Sequence, residues 1–580
     1  MIKQIVKALD GNEAAADVAY NFTEVATIYP ITPSSPMAEH VDVWSANGRK
    51  NLFGQPVKLV EMQSEAGAIG AVHGASETGS LCSSFTASQG LMLMIPVMHR
   101  LSGELKPVVL HIAARTVGTH TMSIFGDHSD VMGCRNTGWA MLCSASVQEC
   151  ADLAAVAHLS TIKGRVPFMH FFDGFRTSHE IQKIKMLPAE ELGKLIDRDA
   201  LYHFKHTGLN PEHPVMRSTV TNPDMFFQSR EANNPWYQRL PYIVQDYMDK
   251  ISELTGRPYH LFDYYGAPDA EHVVIAMGSV TGAIQETIDK LCKEGKKVGF
   301  IQVHLYRPFS LEHFMKAMPD TVRTITVMDR TKEPGALGEP LYEDVCAAMS
   351  HVKQDVTVLA CRYGLSSKDV PPASINAVFT NMDSLQPKNH FTLGIIDDVT
   401  HHSLADVPIT VDTEGTISCK FWGFGSDGTV GANKNSIKII GDNTDMYVQA
   451  YFEYDTKKSG GVTKSHLRFG KNPIRATYYI KSADFLACHK QAYMGTYDIV
   501  SEIKDGGIFL LNCSWDKDDV ANHLSNKVKR QLASKHVRFY IINATKIAEE
   551  IGLGSNRTNT VLQAAFFKLA NILPIDDAVK

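Results

Sequence analysis

Short apolar strands alternate with helix-forming stretches through the first part of this chain, and this alternation limits its fold more than any other feature. The apolar, β-branched runs lie at 26–29, 57–62, 81–86, 107–113 and 168–173. A first helix is predicted from Asp10, its cap, to about Thr23. Strands that alternate with helices form parallel sheets covered on both faces, and ligands bind such sheets at the carboxyl ends of the strands. With 580 residues, we therefore predict a multidomain α/β protein whose first sheet carries a ligand site.

Polar residues follow two of these strands. After Ile28 the chain continues as Tyr-Pro-Ile-Thr-Pro-Ser-Ser-Pro, and proline restricts its own φ and the residue before it, which predicts an extended Thr32. A proline-rich turn without a ligand explains this segment equally well. After Met62 the residues Gln-Ser-Glu-Ala-Gly-Ala open a helix of small residues, which permits close approach of a flat ligand. Thr32 and Glu65 are therefore candidate ligand contacts.

Three motifs resemble one known family. Tyr-Pro-Ile-Thr-Pro-Ser-Ser-Pro (29–36), Ser-Glu-Ala-Gly-Ala (64–68) and Ala-Ala-Arg (113–115) resemble the pyrimidine-binding domain of the pyruvate:ferredoxin (flavodoxin) oxidoreductases. These enzymes use thiamine diphosphate, and a glutamate hydrogen-bonds N1′ of its pyrimidine. The resemblance implies that Glu65 has this role and activates the cofactor.

Arg115 follows an apolar strand, where an unpaired cation would be costly to hold. From the residues alone, it is more simply explained by pairing with Asp127 or Asp130. The resemblance implies instead that Arg115, together with Thr32, binds the carboxylate of pyruvate, which a guanidinium matches in shape and charge. Gly90 closes the polar turn after the third strand and is predicted to lie at the cofactor.

Two histidines and two aspartates lie close together between 120 and 130. Their spacing fits no standard zinc site, and we predict no metal site in this chain. The segment resembles the active-site loop of the same family. That resemblance implies that Ile124 and Phe125 help to shape a small pocket for the methyl group of pyruvate.

Two further α/β units are predicted downstream. The polar, Asn- and Pro-rich segment 185–256 is expected to form short helices and loops that pack on the first domain. The following sheet resembles the transketolase C-terminal-like domain of the family, where Arg307 and Arg330 are expected to serve packing or subunit contact rather than catalysis. Its strands are predicted near 271–279, 297–303 and 324–329. The predicted domains are 1–257, 258–411 and 412–580.

The third domain contains a glycine-rich turn between a strand and a helix predicted from about Asn435. Such a turn exposes backbone N–H groups to an anion, although this one matches neither the P-loop nor the dinucleotide fingerprint. Two further glycine-bearing basic loops follow, and all three resemble the family's coenzyme A-binding domain. The predicted coenzyme A contacts are Gly425, Gly428, Gly431, Lys458, Arg557 and Asn559.

Charge and cysteine usage narrow the range of partners. The net charge of −6 argues against nucleic acid or an anionic membrane as main partner, and the longest apolar run, 91–98, is too short to span a bilayer. The ten cysteines are scattered without a Cys-x-x-Cys, so no iron–sulfur cluster is predicted in this chain. Reduced thiols and the absence of a signal core after Met1 predict a cytoplasmic protein.

The resemblance extends from Asp10 to the end of the chain and implies the N-terminal half of a longer enzyme. That enzyme converts pyruvate and coenzyme A to acetyl-CoA and CO₂ and reduces ferredoxin or flavodoxin. The family's [4Fe–4S] segment and its Mg²⁺-bridged diphosphate domain have no match here, so both are expected in a missing half. That half is either the rest of one long polypeptide or a separate subunit, and the full-length enzyme is expected to be a homodimer. Two alternatives stay open: a subunit acting on another 2-oxo acid, and a non-catalytic cofactor-binding module.

Overall fold

A computed structural model gives the fold and describes residues 2–217, 219–351, 355–455, 460–554 and 557–574. The strands are β1 (Ile5–Asp10), β2 (Val25–Ile28), β3 (Lys58–Glu61), β4 (Cys82–Thr86), β5 (Val108–Ala114), β6 (Ala140–Ser144), β7 (Phe168–Asp173), β8 (Ile181–Met186), β9 (Phe262–Gly266), β10 (His272–Ala276), β11 (Val298–Val303), β12 (Leu305–Arg307), β13 (Thr324–Asp329), β14 (Thr357–Arg362), β15 (Phe391–Thr392), β16 (Thr416–Phe424), β17 (Tyr447–Tyr454), β18 (Val462–Gly470), β19 (Ala483–Cys488), β20 (Ile503–Asn512) and β21 (Arg538–Ile542). The helices are α1 (Gly11–Phe22), α2 (Ser35–Ala46), α3 (Glu65–Glu77), α4 (Ser88–Leu93), α5 (Ile95–Gly103), α6 (Ser129–Gly133), α7 (Val147–Gly164), α8 (Ala189–Lys194), α9 (Arg198–His206), α10 (Pro223–Glu231), α11 (Asn234–Thr255), α12 (Thr281–Lys293), α13 (Leu311–Ala317), α14 (Pro340–Met349), α15 (Pro372–Met382), α16 (Thr429–Asn443), α17 (Val520–His523), α18 (Asn526–Ser534), α19 (Ala544–Glu550) and α20 (Asn559–Ala570).

The first sheet is the predicted parallel sheet. Its seven strands lie in the order β12-β6-β7-β5-β4-β2-β3, and all except β12 run parallel to their neighbours. Every residue of β5 and β7 is buried, as expected for parallel strands that are apolar throughout. The Asp10 side chain accepts a hydrogen bond from the backbone N–H of Glu13 at 2.9 Å, so the predicted cap of α1 is confirmed.

One local prediction for the first domain differs from the structure. Within 185–256, where short helices and loops are expected, the structure has α11, a helix of 22 residues. Thr32 lies in a turn, which the Ser34 N–H closes by donating to the Ile31 carbonyl at 2.9 Å, and its extended backbone stays a prediction. The apolar run 91–98 lies in α4 and α5, and α4 begins earlier, at Ser88.

The error at α11 has a physical reason. Its apolar residues recur at helical spacing and pack against α7, whereas the prediction followed the Asn and Pro residues around them. Leu240, Val244 and Met248 on this face are fully buried. Tertiary packing therefore outweighs local composition here.

The other two sheets contain the downstream strands but also exchange strands with the first segment. The second sheet has the order β15-β14-β13-β10-β11-β9, and the third β1-β8-β17-β18-β16-β19-β20-β21. Thus β1 and β8, from the first segment, extend the third sheet through β17, while β12 extends the first sheet through β6. The chain is a multidomain α/β protein, and the boundaries at 257/258 and 411/412 stay predictions.

Candidate cofactor and substrate site

Glu65 is the first residue of α3 and lies just beyond the carboxyl end of β3. The side chain of Ser64 caps this helix by accepting the N–H of Gly67 at 3.2 Å, which fixes where the helix begins. Glu65 is only 6% exposed, and no group of the described chain donates a hydrogen bond to its carboxylate. Its oxygens are not among the fully enclosed atoms that lack a partner, so they stay open to a donor from a ligand.

Gly90 packs directly against this carboxylate. A Cβ atom at position 90 would lie 2.5 Å from Oε1 of Glu65, closer than any carbon can approach. Gly90 belongs to α4, which starts at Ser88 directly after the carboxyl end of β4. The structure therefore brings together two residues that the sequence assigned separately to the cofactor.

Arg115 lies immediately after β5 and is 7% exposed. Its Nη1 donates to the backbone carbonyl of Thr32 at 2.7 Å, and its Nε is buried with no partner among the described residues. Burial lowers the pKa of this guanidinium, and the charge of Asp130 opposes that effect. The Thr32 side chain is itself exposed, so the two residues meet through the threonine carbonyl.

Asp130 does not pair with the Arg115 guanidinium in the way that the simpler explanation required. It accepts the backbone N–H of Arg115 at 3.0 Å, and Asp127 bonds to Ser129 and Ser366. The guanidinium thus keeps an unsatisfied donor beside the end of β5. A ligand carboxylate would satisfy that donor.

The loop after β5 folds back over this strand end. Thr116 donates from its hydroxyl to the Ser123 carbonyl at 2.8 Å and from its backbone N–H to the Phe125 carbonyl at 3.2 Å. Gly126 holds the far side of the loop through its N–H, which donates to Ser367 Oγ at 2.9 Å. The proposed contacts of Ile124 and Phe125 with a substrate methyl group stay predictions.

A buried ionic cluster, which the sequence reasoning missed, joins the first and second sheets. Asp173, at the end of β7, accepts hydrogen bonds from His128 Nε2 at 2.6 Å, from the Ser279 N–H at 2.9 Å and from Arg330 Nη1. Burial raises the pKa of Asp173, but Arg330 and His128 outweigh it and hold that pKa well below its usual range. The expected packing role of Arg330 fits these contacts. The sequence contained one signal of this cluster: Asp173 ends the buried strand β7, and Arg330 directly follows the buried strand β13.

The third sheet carries a second candidate site. A cleft of about 790 Å³ opens where β16, β19, β20 and β21 end, and it is lined by residues directly after each of these strands. Gly425 lines the cleft, as does Thr558 at the start of α20. A Cβ at Gly428 would lie 2.9 Å from Nδ2 of Asn559, so the glycine turn packs closely against α20.

Of the remaining predicted coenzyme A contacts, those that the structure describes do not line this cleft. Gly431 and Arg557 are exposed near this turn, and Lys458 lies outside the described residues. The Asp427 carboxylate accepts the N–H groups of Phe424 and Thr429, both at 2.8 Å. Those two donors are therefore satisfied within the loop, and fewer are open to an anion than the motif suggested.

One group of possible metal ligands occurs in the described part of the chain. His73, Glu77 and Glu104 bring their ligand atoms within 4.8 Å of one another. Lys106 and Arg217 both pair with Glu77, and these two cations already balance the carboxylates of Glu77 and Glu104, which disfavours a metal ion there.

Burial raises the pKa of several cysteine thiols, including Cys143, Cys150 and Cys361. Across the described ranges, no helix combines the length and apolar character required for a membrane span.

The fold and the first site together define a multidomain α/β protein with a candidate ligand site at the carboxyl ends of a parallel sheet. Family models match three parts of the chain. They are pyruvate flavodoxin/ferredoxin oxidoreductase, thiamine diphosphate-binding, at 17–249; pyruvate:ferredoxin oxidoreductase core domain II at 270–375; and pyruvate ferredoxin/flavodoxin oxidoreductase at 418–580. The chain belongs to the pyruvate ferredoxin/flavodoxin oxidoreductase family.

Individual relatives agree. A pyruvate:ferredoxin oxidoreductase of Moorella thermoacetica is 59% identical over 99% of this chain and 49% of its own length. A pyruvate-flavodoxin oxidoreductase of Enterobacter agglomerans is 57% identical over the same shares. The chain thus spans about half the length of these relatives. Among solved structures, a 2-oxoglutarate:ferredoxin oxidoreductase from Magnetococcus marinus is similar at 18% identity and a TM-score of 0.46, over 62% of each chain.

Proposed function

We propose that this chain supplies the pyrimidine- and substrate-binding part and the coenzyme A-binding part of an enzyme that oxidises pyruvate to acetyl-CoA and CO₂. Electrons would pass to ferredoxin or flavodoxin, the acceptors named for its relatives. The observation that carries the proposal is the buried Glu65 carboxylate, which has no donor within the described chain and faces Gly90.

The residues at this site fit the pyrimidine of thiamine diphosphate. Glu65 offers an acceptor to a protonated ring nitrogen, and the absence of a side chain at Gly90 lets that carboxylate lie directly against α4. Thiamine diphosphate, when bound, supplies the nucleophilic carbon and the electron sink for decarboxylation of a 2-oxo acid. Within this chain, Glu65 would hold the proton of the ring nitrogen and thereby orient the pyrimidine.

Arg115 would bind the substrate carboxylate. Its one donated bond, to the Thr32 carbonyl, fixes the plane of the guanidinium and leaves Nε without a partner. A carboxylate at that edge would gain a charge-assisted bond and would offset the cost of burying the cation. The loop from Thr116 to Gly126 would limit water at this point because it folds back over the strand end.

The cleft of the third sheet would bind coenzyme A. It lies at the carboxyl ends of parallel strands, beside the N-terminus of α20, and Lys490 and Lys546 are among its lining residues. Helix N-termini and lysines favour phosphates. Of the predicted contacts, Gly425, Gly428 and Asn559 support this proposal most directly, because Gly425 lines the cleft and Gly428 packs against Asn559. Gly431, Arg557 and Lys458 are further candidates.

The rest of the proposed enzyme would come from the part of the relatives that this chain does not span. We place the diphosphate and its Mg²⁺ there, together with the [4Fe–4S] clusters. The complete enzyme would be a homodimer. Its location would be the reducing cytoplasm, which suits the scattered, mostly buried thiols of this chain.

Arg115→Ala in the complete enzyme is expected to raise the KM for pyruvate while leaving the KM for coenzyme A unchanged. A hydrogen bond to a charged group contributes about 1.5–3 kcal/mol, which corresponds to about a 10- to 150-fold change. Steady-state kinetics with each substrate varied in turn gives both constants. Arg323→Ala is the matched control, because that arginine is exposed and pairs only at the surface with Glu271. An unchanged KM for pyruvate would show that Arg115 is structural.

A further inference from the structure

The proposed site has two arms: the Glu65–Gly90 arm, which includes the helix that begins at Ser88, and the Arg115 arm. The buried carboxylate of Asp130 accepts a hydrogen bond from each arm. Asp130 lies in α6 and is fully buried. Its Oδ2 accepts the backbone N–H of Ser88 at 2.7 Å and that of Arg115 at 3.0 Å, while its Oδ1 accepts the N–H of Val131 at 2.7 Å. A single oxygen atom therefore joins the residues that follow the carboxyl ends of β4 and β5.

These two strand ends carry the two different chemistries of the site. Ser88 begins the helix in which Gly90 packs against Glu65, whereas Arg115 presents its guanidinium beside Thr32. The spacing between the Glu65 arm and the Arg115 arm is thus set through the two N–H groups that share Asp130 Oδ2. A hydrogen bond of 2.7–3.0 Å fixes each arm to within a few tenths of an ångström.

The backbone at Ser88 needs such a partner. Its φ is +53°, in the left-handed region that non-glycine residues rarely adopt. Strained positions of this kind persist where their surroundings over-determine them. Ser88 is held by its N–H to Asp130 and by its hydroxyl, which donates to the Thr116 carbonyl at 2.5 Å. The first bond connects Ser88 to Arg115 through Asp130, and the second reaches Thr116, the residue after Arg115.

The cost of burying Asp130 supports the same conclusion. Burial raises the pKa of Asp130 to about 7, although its three backbone hydrogen bonds lower it. Among the described residues, the Asp130 carboxyl has no ion pair, so its burial is costly, and an apolar residue at this position would avoid that cost. An apolar residue could not accept the N–H groups of Ser88 and Arg115, and this bridge therefore requires the carboxylate.

We propose that Asp130 is a positioning residue for the reaction, which sets the distance between the Glu65–Gly90 arm and Arg115. This inference rests on the proposed function. Asp130 itself touches neither substrate nor cofactor. It acts through the backbone of Ser88 and Arg115.

Asp130→Leu in the complete enzyme tests the inference. Leucine has the same branched shape as aspartate but offers no acceptor, so the N–H groups of Ser88 and Arg115 lose the oxygen that they share. Asparagine would not be decisive, because its amide oxygen could take the Oδ2 position and keep both bonds, with its NH₂ group set only against the N–H of Val131. We expect kcat/KM for pyruvate to fall about 10- to 100-fold, as small misplacements of reacting groups do. The KM for coenzyme A should not change. Adding the variant to Arg115→Ala should raise the pyruvate KM no further, because Asp130 acts on that constant through Arg115.

Asp329→Leu is the matched control. Asp329 is also buried, also accepts two backbone N–H groups, those of Leu341 and Tyr342 at 3.0 Å, and also has its pKa raised to about 7 by burial. Its bonds begin α14, outside the site. If both variants lose pyruvate turnover equally, or if Asp130→Leu retains wild-type kinetics, the inference is wrong.

Amide hydrogen exchange separates this inference from the proposed function, since it needs no turnover. Peptides covering 86–90 and 112–116 should exchange faster in Asp130→Leu than in wild type or in Asp329→Leu. Unchanged exchange at both peptides would overturn the inference even if the wild-type enzyme oxidises pyruvate. If Asp130→Leu does not fold, Asp130→Glu keeps both acceptor oxygens but moves them by one methylene group, and the same outcomes apply.

Discussion

Replacing Glu65 by glutamine is expected to lower pyruvate turnover by the complete enzyme about 10²–10⁴-fold without unfolding it. The amide has nearly the same shape, so packing against Gly90 is kept. It lacks the negative charge that would hold a proton on the ring nitrogen of the cofactor. Steady-state rates with pyruvate and coenzyme A, with far-UV circular dichroism as the folding check, measure this effect.

Glu61→Gln is the control for that experiment, because Glu61 is exposed at the end of β3, four residues before Glu65. Gly90→Ala offers an independent route to the same carboxylate. Its new methyl group would overlap Glu65 Oε1 and push the carboxylate aside, so a marked loss of turnover is expected there too. More than about a tenth of wild-type turnover in Glu65→Gln, outside the range of a lost proton-transfer group, would contradict the assignment.

Replacing Arg330 by methionine is expected to destabilise the protein by about 3–5 kcal/mol at neutral pH. The change removes one partner of a fully buried ion pair. Among the described residues, His128 is then the one remaining ionic partner of Asp173. Because the pair joins the first and second sheets, the loss should lower the midpoint of thermal unfolding. Arg323→Met, at an exposed surface pair, should change it little.

The pH dependence of this effect has a definite sign. The pKa of Asp173 is held well below its usual range, so its pairing stabilises the fold above about pH 4, the region of an ordinary aspartate, and that stabilisation is lost as the pH falls toward the lowered pKa. The difference in unfolding midpoint between wild type and Arg330→Met should therefore shrink on acidification. A difference that stays constant as the pH falls from about 4 to about 2, below the pKa of an ordinary aspartate, would show that lost packing, rather than lost pairing, causes the effect.

The sequence was sufficient for those parts of the site that depend on local pattern. Strand–helix alternation predicted the parallel sheet, and the strand ends located Glu65, Gly90 and Arg115. The contacts among these residues could not be predicted in the same way. The approach of Gly90 to Glu65 depends on the register of β3 and β4 around β2, which a single sequence does not specify.

Contacts between distant segments could not be predicted. Asp173 and Arg330 lie 157 residues apart, and only the packing of the first sheet on the second brings them together. The pairing of β8 with β17 is similar, since it attaches an early strand to the third sheet. The glycine turn connects a strand to a helix as predicted, but α16 begins at Thr429 rather than near Asn435. Asp427 also accepts N–H groups of this turn that the motif predicted to be open to an anion.

Dye reduction by the complete enzyme, measured with pyruvate and with 2-oxoglutarate in the presence and absence of coenzyme A, tests the central claim most directly. The proposed site predicts rapid reduction that requires both pyruvate and coenzyme A, with far slower turnover of the larger 2-oxo acid. Turnover of 2-oxoglutarate that equals or exceeds that of pyruvate, or a complete lack of pyruvate oxidation by an enzyme loaded with its cofactors, would contradict it.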